Sequence, residues 1–154
     1  MLTNLRIKIA LNFELISLSK KYNTKLPKLV LGKKEGPYIG HYDYLNHVIL
    51  LDPNKLHGQK EFFNALHHEF RHHWQWTHRH KDYMWWMDHY DELYKELYWF
   101  APIEIDARLF ASNKESYNGE VFDILPIEKV EQAYQQGFLM DTCKSLADVL
   151  AQNY

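Results

Sequence analysis

The feature that most restricts the possible folds of this chain is a long helical periodicity near its centre. Between residue 59 and about residue 79, large apolar side chains recur once per helical turn, at Phe62, Leu66, Phe70 and Trp74. Such a stripe requires a packing surface on one side of a helix of about 20 residues. We therefore expect a long amphipathic helix here, with the rest of the chain supplying its partner surfaces.

Similar patterns predict further helices on both sides of this one. Residues 83–100 predict a second helix, and Pro102 suits the first turn of another that runs to about residue 113. A short helix is expected after Pro126, and a last helix over about residues 142–152. At the other end of the chain, residues 4–21 predict an amphipathic helix whose apolar positions at helical spacing are Leu5, Ile9, Phe13 and Ile16.

Strand signals are confined to a short region before the central helix. The apolar run 29–31, ended by Gly32, is a candidate strand, and residues 38–51 predict a hairpin with its turn near residues 43–46. We therefore expect an α+β fold in a single domain over residues 1–154. It has an N-terminal helix, a small β-sheet with a hairpin, and then the central helix and further helices.

Composition excludes several classes of protein. The net charge is −2 and no basic stripe is present, which argues against nucleic-acid binding. A single cysteine, Cys143, rules out an internal disulfide and favours a reducing compartment. The first 20 residues carry interspersed charges, unlike a signal peptide, and no segment is apolar enough to span a bilayer. We expect a cytoplasmic protein without a membrane partner, and the sequence leaves its oligomeric state open.

The central helix carries a metal-binding pattern, His68-Glu69-Phe70-Arg71-His72. Positions i and i+4 share one face of a helix, so both imidazoles can bind the same ion. Zn²⁺ is the expected metal, and Glu69 is placed to act as the general base that takes a proton from an attacking water. The competing interpretation is a surface helix that is merely rich in histidine, since six of the ten histidines lie between residues 67 and 80.

A catalytic zinc site needs a third protein ligand and an open position. Glu104, in the first turn of the helix that begins at Pro102, is the preferred candidate. Ala107 lies on the same helix face, where a small side chain would allow close packing against the central helix. Asp106 is the alternative ligand, although it lies on a different face.

These residues together resemble the minimal gluzincin metallopeptidases, and most closely the ImmA/IrrE-like peptidases. The likeness covers roughly residues 38–115 and is carried by His68-Glu69-x-x-His72, by Glu104-x-x-Ala107 and by Phe110-Ala111. In that family an Asp or Asn that orients a zinc ligand often follows the alanine, whereas this chain has Arg108. Asp106 could replace it in this chain. The resemblance implies that a strand within residues 46–51 borders the cleft and binds substrate as an added strand.

The sequence thus predicts a zinc-dependent metallopeptidase that hydrolyses peptide bonds in a protein or peptide substrate. Its alternative is a catalytically silent or latent zinc-stabilised binding or regulatory protein, which the arginine at position 108 favours. A donor for the oxyanion is also needed. Tyr98, just before the Glu104 helix, is the preferred catalytic candidate, and the others are Tyr94, His89 and His41.

Overall fold

The computed structural model describes residues 2–113 and 116–154. The chain divides into two compact units, of which the first ends at Thr77 and the second begins at His78. The first unit contains a helix, a three-stranded sheet and most of the central helix, and the second is helical. The predicted α+β class is confirmed, while the expectation of a single domain stays a prediction.

The N-terminal helix α1 (Leu2–Lys21) forms as predicted but buries a different face. The side chains of Leu11, Leu15 and Leu18 are buried. The stripe on which the prediction was based stands in solvent, with exposed fractions between 39 and 70 per cent for Leu5, Ile9, Phe13 and Ile16. Helix α1 carries apolar residues on two faces, so spacing alone could not identify the buried one.

Three short strands form one sheet in the order β1-β3-β2. Strand β1 (Lys28–Leu31) pairs in parallel with β3 (Val48–Leu51), and β2 (Gly40–Asp43) pairs antiparallel with β3. The hairpin prediction is confirmed. The expectation that a strand within residues 46–51 offers an open edge is wrong, because β3 is the central strand and both of its edges are paired. The edges of this sheet belong to β1 and β2.

The central helix α2 (Gln59–His78) follows the sheet after a short 3₁₀ turn (Pro53–Lys55). Its apolar stripe is buried at Phe62, Leu66 and Phe70. Fully buried side chains of the first unit also come from α1 and from β3, where Ile49 and Leu51 have no exposed surface. The helix therefore has one face in the core, as its periodicity predicts.

The second unit contains helices α3 to α8. The predicted helix over 83–100 is divided at His89 into α3 (His80–Asp88) and α4 (Tyr90–Leu97), followed by a 3₁₀ turn (Tyr98–Phe100). The helix beginning at Pro102 is α5 (Pro102–Asn113), as predicted. The remaining helices are α6 (Val121–Ile124), α7 (Ile127–Gln135) and α8 (Leu139–Ala151).

Within this unit, α3 packs against α5 and α7, and α8 packs against α7. Gly137 has a φ of 81° and ends α7 in the left-handed conformation that a glycine adopts without strain. In the described part of the chain, no helix combines the length and apolar character needed to cross a lipid bilayer.

Candidate metal centre

Two histidines of α2 lie one helical turn apart on the same face. The ring centroids of His68 and His72 are 5.0 Å apart, and the ring planes are inclined by 77°. His72 is buried, with 6 per cent of its surface exposed, whereas His68 is partly exposed. The helix therefore presents two imidazoles together, one of them largely shielded from water.

A buried carboxylate joins these imidazoles. Glu104, in the first turn of α5, is only 2 per cent exposed. One donor atom each from His68, His72 and Glu104 lie within 4.8 Å of one another, so this group could hold a metal ion. Among the residues that the structure describes, Asp106 is not part of the group.

Tyr94 of α4 holds the carboxylate of Glu104. Its hydroxyl donates a hydrogen bond to Glu104 Oε2, and both groups are buried. Burial, followed by the charge of Glu104, raises the pKa of Tyr94 well above its usual value, so this hydroxyl keeps its proton. Tyr98 packs edge-on against Tyr94, with ring centroids 5.0 Å apart, and is partly exposed. Its predicted catalytic role stays a prediction.

Glu69, the expected general base, lies against the first residue of β2. A Cβ atom built on Gly40 would be 3.2 Å from Glu69 Cγ, 2.9 Å from Leu51 Cδ2 and 3.1 Å from the carbonyl oxygen of Leu50. Glu69 itself is 8 per cent exposed. Only a glycine lets the edge strand approach the Glu69 side chain this closely.

The second histidine is held by a residue of its own helix. His72 Nδ1 lies 2.9 Å from the side-chain oxygen Oε1 of Gln75, one turn further along α2. Gln75 has no exposed surface. An uncharged amide placed fully inside a protein requires hydrogen bonds to offset its lost hydration, and His72 supplies one of them.

The histidines on either side of the motif have different partners, as expected for neighbours on a helix. The Nε2 atom of His67 lies 3.8 Å from the carboxylate of Glu14 in α1. His73 is bonded through Nδ1 to the hydroxyl of Tyr42 in β2 and donates from Nε2 to the carbonyl oxygen of Lys25. These contacts attach α2 to the helix and sheet of the first unit.

The two residues next to Ala107 have other partners too. Asp106 is fully buried and accepts a hydrogen bond from the hydroxyl of Tyr117. Arg108 donates to the carbonyl oxygen of Trp99 and lies over its ring, with the guanidinium carbon 4.3 Å from the centroid. Burial lowers the pKa of Arg108, an effect that the charge of Glu104 opposes.

The remaining oxyanion candidates lie in different surroundings. His89 stacks on Trp85, with ring centroids 3.9 Å apart, and donates from Nδ1 to its carbonyl oxygen. His41 is exposed in β2. The surroundings of His89 match those of a packed aromatic side chain.

No protein-family model, no curated protein and no solved structure matched this chain. Its function therefore has to be inferred from the side chains themselves and from how they are held.

Sequence reasoning did not identify Gln75 or Gly40 as residues that shape this site. It named Tyr94 only as an oxyanion candidate and missed its hydrogen bond to Glu104. Gln75 could have been found, because it lies three positions after His72 and hence on the same side of α2. Gly40 and Tyr94 could not, since their contacts with Glu69 and Glu104 join positions that only folding brings together.

Proposed function

We propose that this chain is a zinc-dependent metallopeptidase in which His68, His72 and Glu104 hold the metal and Glu69 is the general base. The observation that carries the proposal is the meeting of two imidazoles and a buried carboxylate within 4.8 Å. A carboxylate on the same helix, adjacent in sequence to the first imidazole, is the second requirement of such a site.

The chemistry of the donors fits zinc. Two imidazoles and one carboxylate are a ligand set that Zn²⁺ takes in catalytic sites, where one coordination position stays open for water or substrate. A zinc ion held there would act as a Lewis acid, lowering the pKa of water and polarising the carbonyl group of the substrate.

The protein's own residues perform the proton transfers. Glu69 takes the proton of the attacking water and delivers it to the amine that leaves when the peptide bond breaks. Because Glu69 is 8 per cent exposed, little bulk water surrounds its carboxylate. Tyr98 is proposed to donate a hydrogen bond to the oxyanion, and Tyr94 keeps Glu104 in place.

The substrate is proposed to be a peptide in extended conformation. Strand β2 is an edge strand, and a Cβ atom built on its residue Gly40 would lie 3.2 Å from Glu69 Cγ. A peptide that pairs with an edge strand gains main-chain hydrogen bonds without requiring a particular sequence. Pairing with β2 would bring a scissile bond near the general base.

The proposal is tested by metal analysis and a peptidase assay on matched variants. We expect about one zinc ion per chain in the wild type, and its loss in His72→Ala. Glu69→Gln should keep the zinc and lower kcat by about 100-fold or more, because it removes the base without removing a ligand. His57→Ala, at an exposed loop position, is the control and should match the wild type in both measurements.

Arg108 favours a second candidate, a zinc-stabilised binding or regulatory protein without catalysis. An arginine here donates hydrogen bonds and cannot accept one from a zinc ligand, as an Asp or Asn at this position could. The same assay separates the two functions. If the wild type binds zinc yet cleaves unfolded and peptide substrates no faster than Glu69→Gln, the second candidate is correct.

A further inference from the structure

The hydrogen bond between His72 and Gln75 restricts the tautomer of His72. A neutral imidazole carries one N–H group and one lone pair, on opposite sides of the ring. The amide oxygen Oε1 of Gln75 accepts hydrogen bonds and does not donate them. At 2.9 Å from Nδ1, it therefore selects the form of His72 in which Nδ1 carries the hydrogen and Nε2 carries the lone pair.

We propose that Gln75 is a positioning residue for the metal centre, fixing both the tautomer and the ring orientation of His72. The inference rests on the proposed function, because it supposes that His72 is a ligand. Histidines that bind metals usually donate their other ring N–H to an acceptor, which holds the ring and increases its basicity. Gln75 supplies that acceptor from the same helix.

The burial of Gln75 supports this role. The side chain of Gln75 has no exposed surface, and His72, its hydrogen-bond partner, is 6 per cent exposed. A hydrogen bond shielded from water is not weakened by competing solvent, so the selection of the tautomer is strong. An apolar residue at position 75 would fill the core at lower desolvation cost, which makes packing alone a poor explanation for a glutamine there.

Arg108, the residue that follows Ala107, does not supply a hydrogen-bond acceptor for His72. Arg108 has no acceptor atom, and its guanidinium group donates to the carbonyl oxygen of Trp99. Asp106 accepts from Tyr117. An acceptor supplied by α2 itself requires no contribution from α5, so the arginine can be tolerated without leaving His72 unsupported.

The test measures the tautomer and the zinc affinity separately. In the metal-free wild type at about pH 8, nitrogen-detected NMR of the His72 ring should show hydrogen on Nδ1. Gln75→Leu should shift the ring toward the other tautomer. It should also raise the apparent Kd for Zn²⁺ by about 10- to 100-fold and alter the visible spectrum of the Co²⁺-substituted protein. Gln75→Glu, which keeps an acceptor, should restore the affinity to within a few-fold.

Gln59→Leu, an exposed position on the same helix, controls for the substitution and should bind zinc like the wild type. Hydrogen on Nε2 in the wild type would overturn the inference, as would unchanged zinc affinity in Gln75→Leu. The NMR result does not depend on zinc. Nδ1–H in a protein that takes up no zinc would contradict the proposed peptidase while leaving the hydrogen bond established.

Discussion

At the scale of single residues, Gly40 is a position of the site that leaves no room for a side chain. Gly40→Ala would place a methyl group 2.9 Å from Leu51 Cδ2 and 3.2 Å from Glu69 Cγ. Leu51 is fully buried and cannot move freely, so we expect a loss of about 1 to 3 kcal/mol in the free energy of unfolding. Displacement of Glu69 should also lower kcat/KM by about 10-fold or more, with zinc affinity nearly unchanged.

Gly32→Ala is the matched control for this experiment. Its Cβ would meet only Leu50 Cδ1, at 3.5 Å, and Val30 Cγ1, at 3.9 Å, which are ordinary contacts. Urea unfolding and steady-state kinetics would compare the two variants. Equal activity in both would show that Gly40 has no influence on Glu69.

Tyr94 and Tyr98 are expected to respond differently to removal of their hydroxyl groups. Tyr94→Phe deletes the hydrogen bond to Glu104, and a bond to a charged group contributes about 1.5 to 3 kcal/mol. Its zinc Kd should therefore rise by about 10-fold or more. Tyr98→Phe should lower kcat while zinc affinity stays at the wild-type value. A normal kcat in Tyr98→Phe would show that the predicted oxyanion role is wrong.

The residues of the candidate metal group and the expected general base could be picked out from sequence because their signal is local. His68, Glu69 and His72 lie within five positions of a periodic helix, and Glu104 is placed by the helix that Pro102 begins. The supporting residues depend on long-range contacts such as that of Gly40 with Glu69, which leave no mark in local spacing. Nor does spacing show which of several tyrosines reaches a given carboxylate.

At the scale of elements, α1 shows the limit of periodicity most clearly. The helix was predictable, but its sequence carries two apolar stripes, and the packing of the sheet and α2 decides which is buried. The break at His89 is likewise not marked by helical spacing. Helical spacing continues through residues 83–100, whereas the backbone at His89 adopts φ −104° and ψ 12°, and the chain begins a new helix.

A pair of identical substitutions in α1 tests the assignment of its faces. Leu11→Ala removes a side chain with no exposed surface and should cost about 2 to 5 kcal/mol in the free energy of unfolding. Leu5→Ala removes a side chain that is 56 per cent exposed and should change the free energy of unfolding by less than about 0.5 kcal/mol. Urea titration gives both values. Similar losses in the two variants would contradict the assigned orientation.

At the scale of the whole molecule, the chain divides into two compact units, so a buried group in one unit can report on the folding of that unit. Cys143 of α8, in the second unit, is fully buried, and burial raises the pKa of its thiol to about 12. In the unfolded chain the thiol ionises above a pH of about 9, whereas the folded unit keeps the proton. The unfolded state is therefore favoured as the pH rises.

We expect the contribution of Cys143 to stability to be complete below a pH of about 9 and to decline between about pH 9 and pH 12. The measurement is the free energy of unfolding of the wild type minus that of Cys143→Ala, at about pH 8 and about pH 10.5. Subtraction removes the titration of lysines and tyrosines common to both proteins. A difference that does not change with pH would show that the thiol is not shielded in the folded unit.

The central place of β3 has a consequence for how the first unit opens. Its residues Val48 to Leu51 are paired on both sides, so their amide hydrogens can reach deuterated solvent only when β1 or β2 separates from them. Exchange should accordingly be slowest along this strand and faster at the free margin of β2. We therefore expect β2, the edge strand that begins at Gly40 beside Glu69, to separate from the sheet more often than the central strand β3.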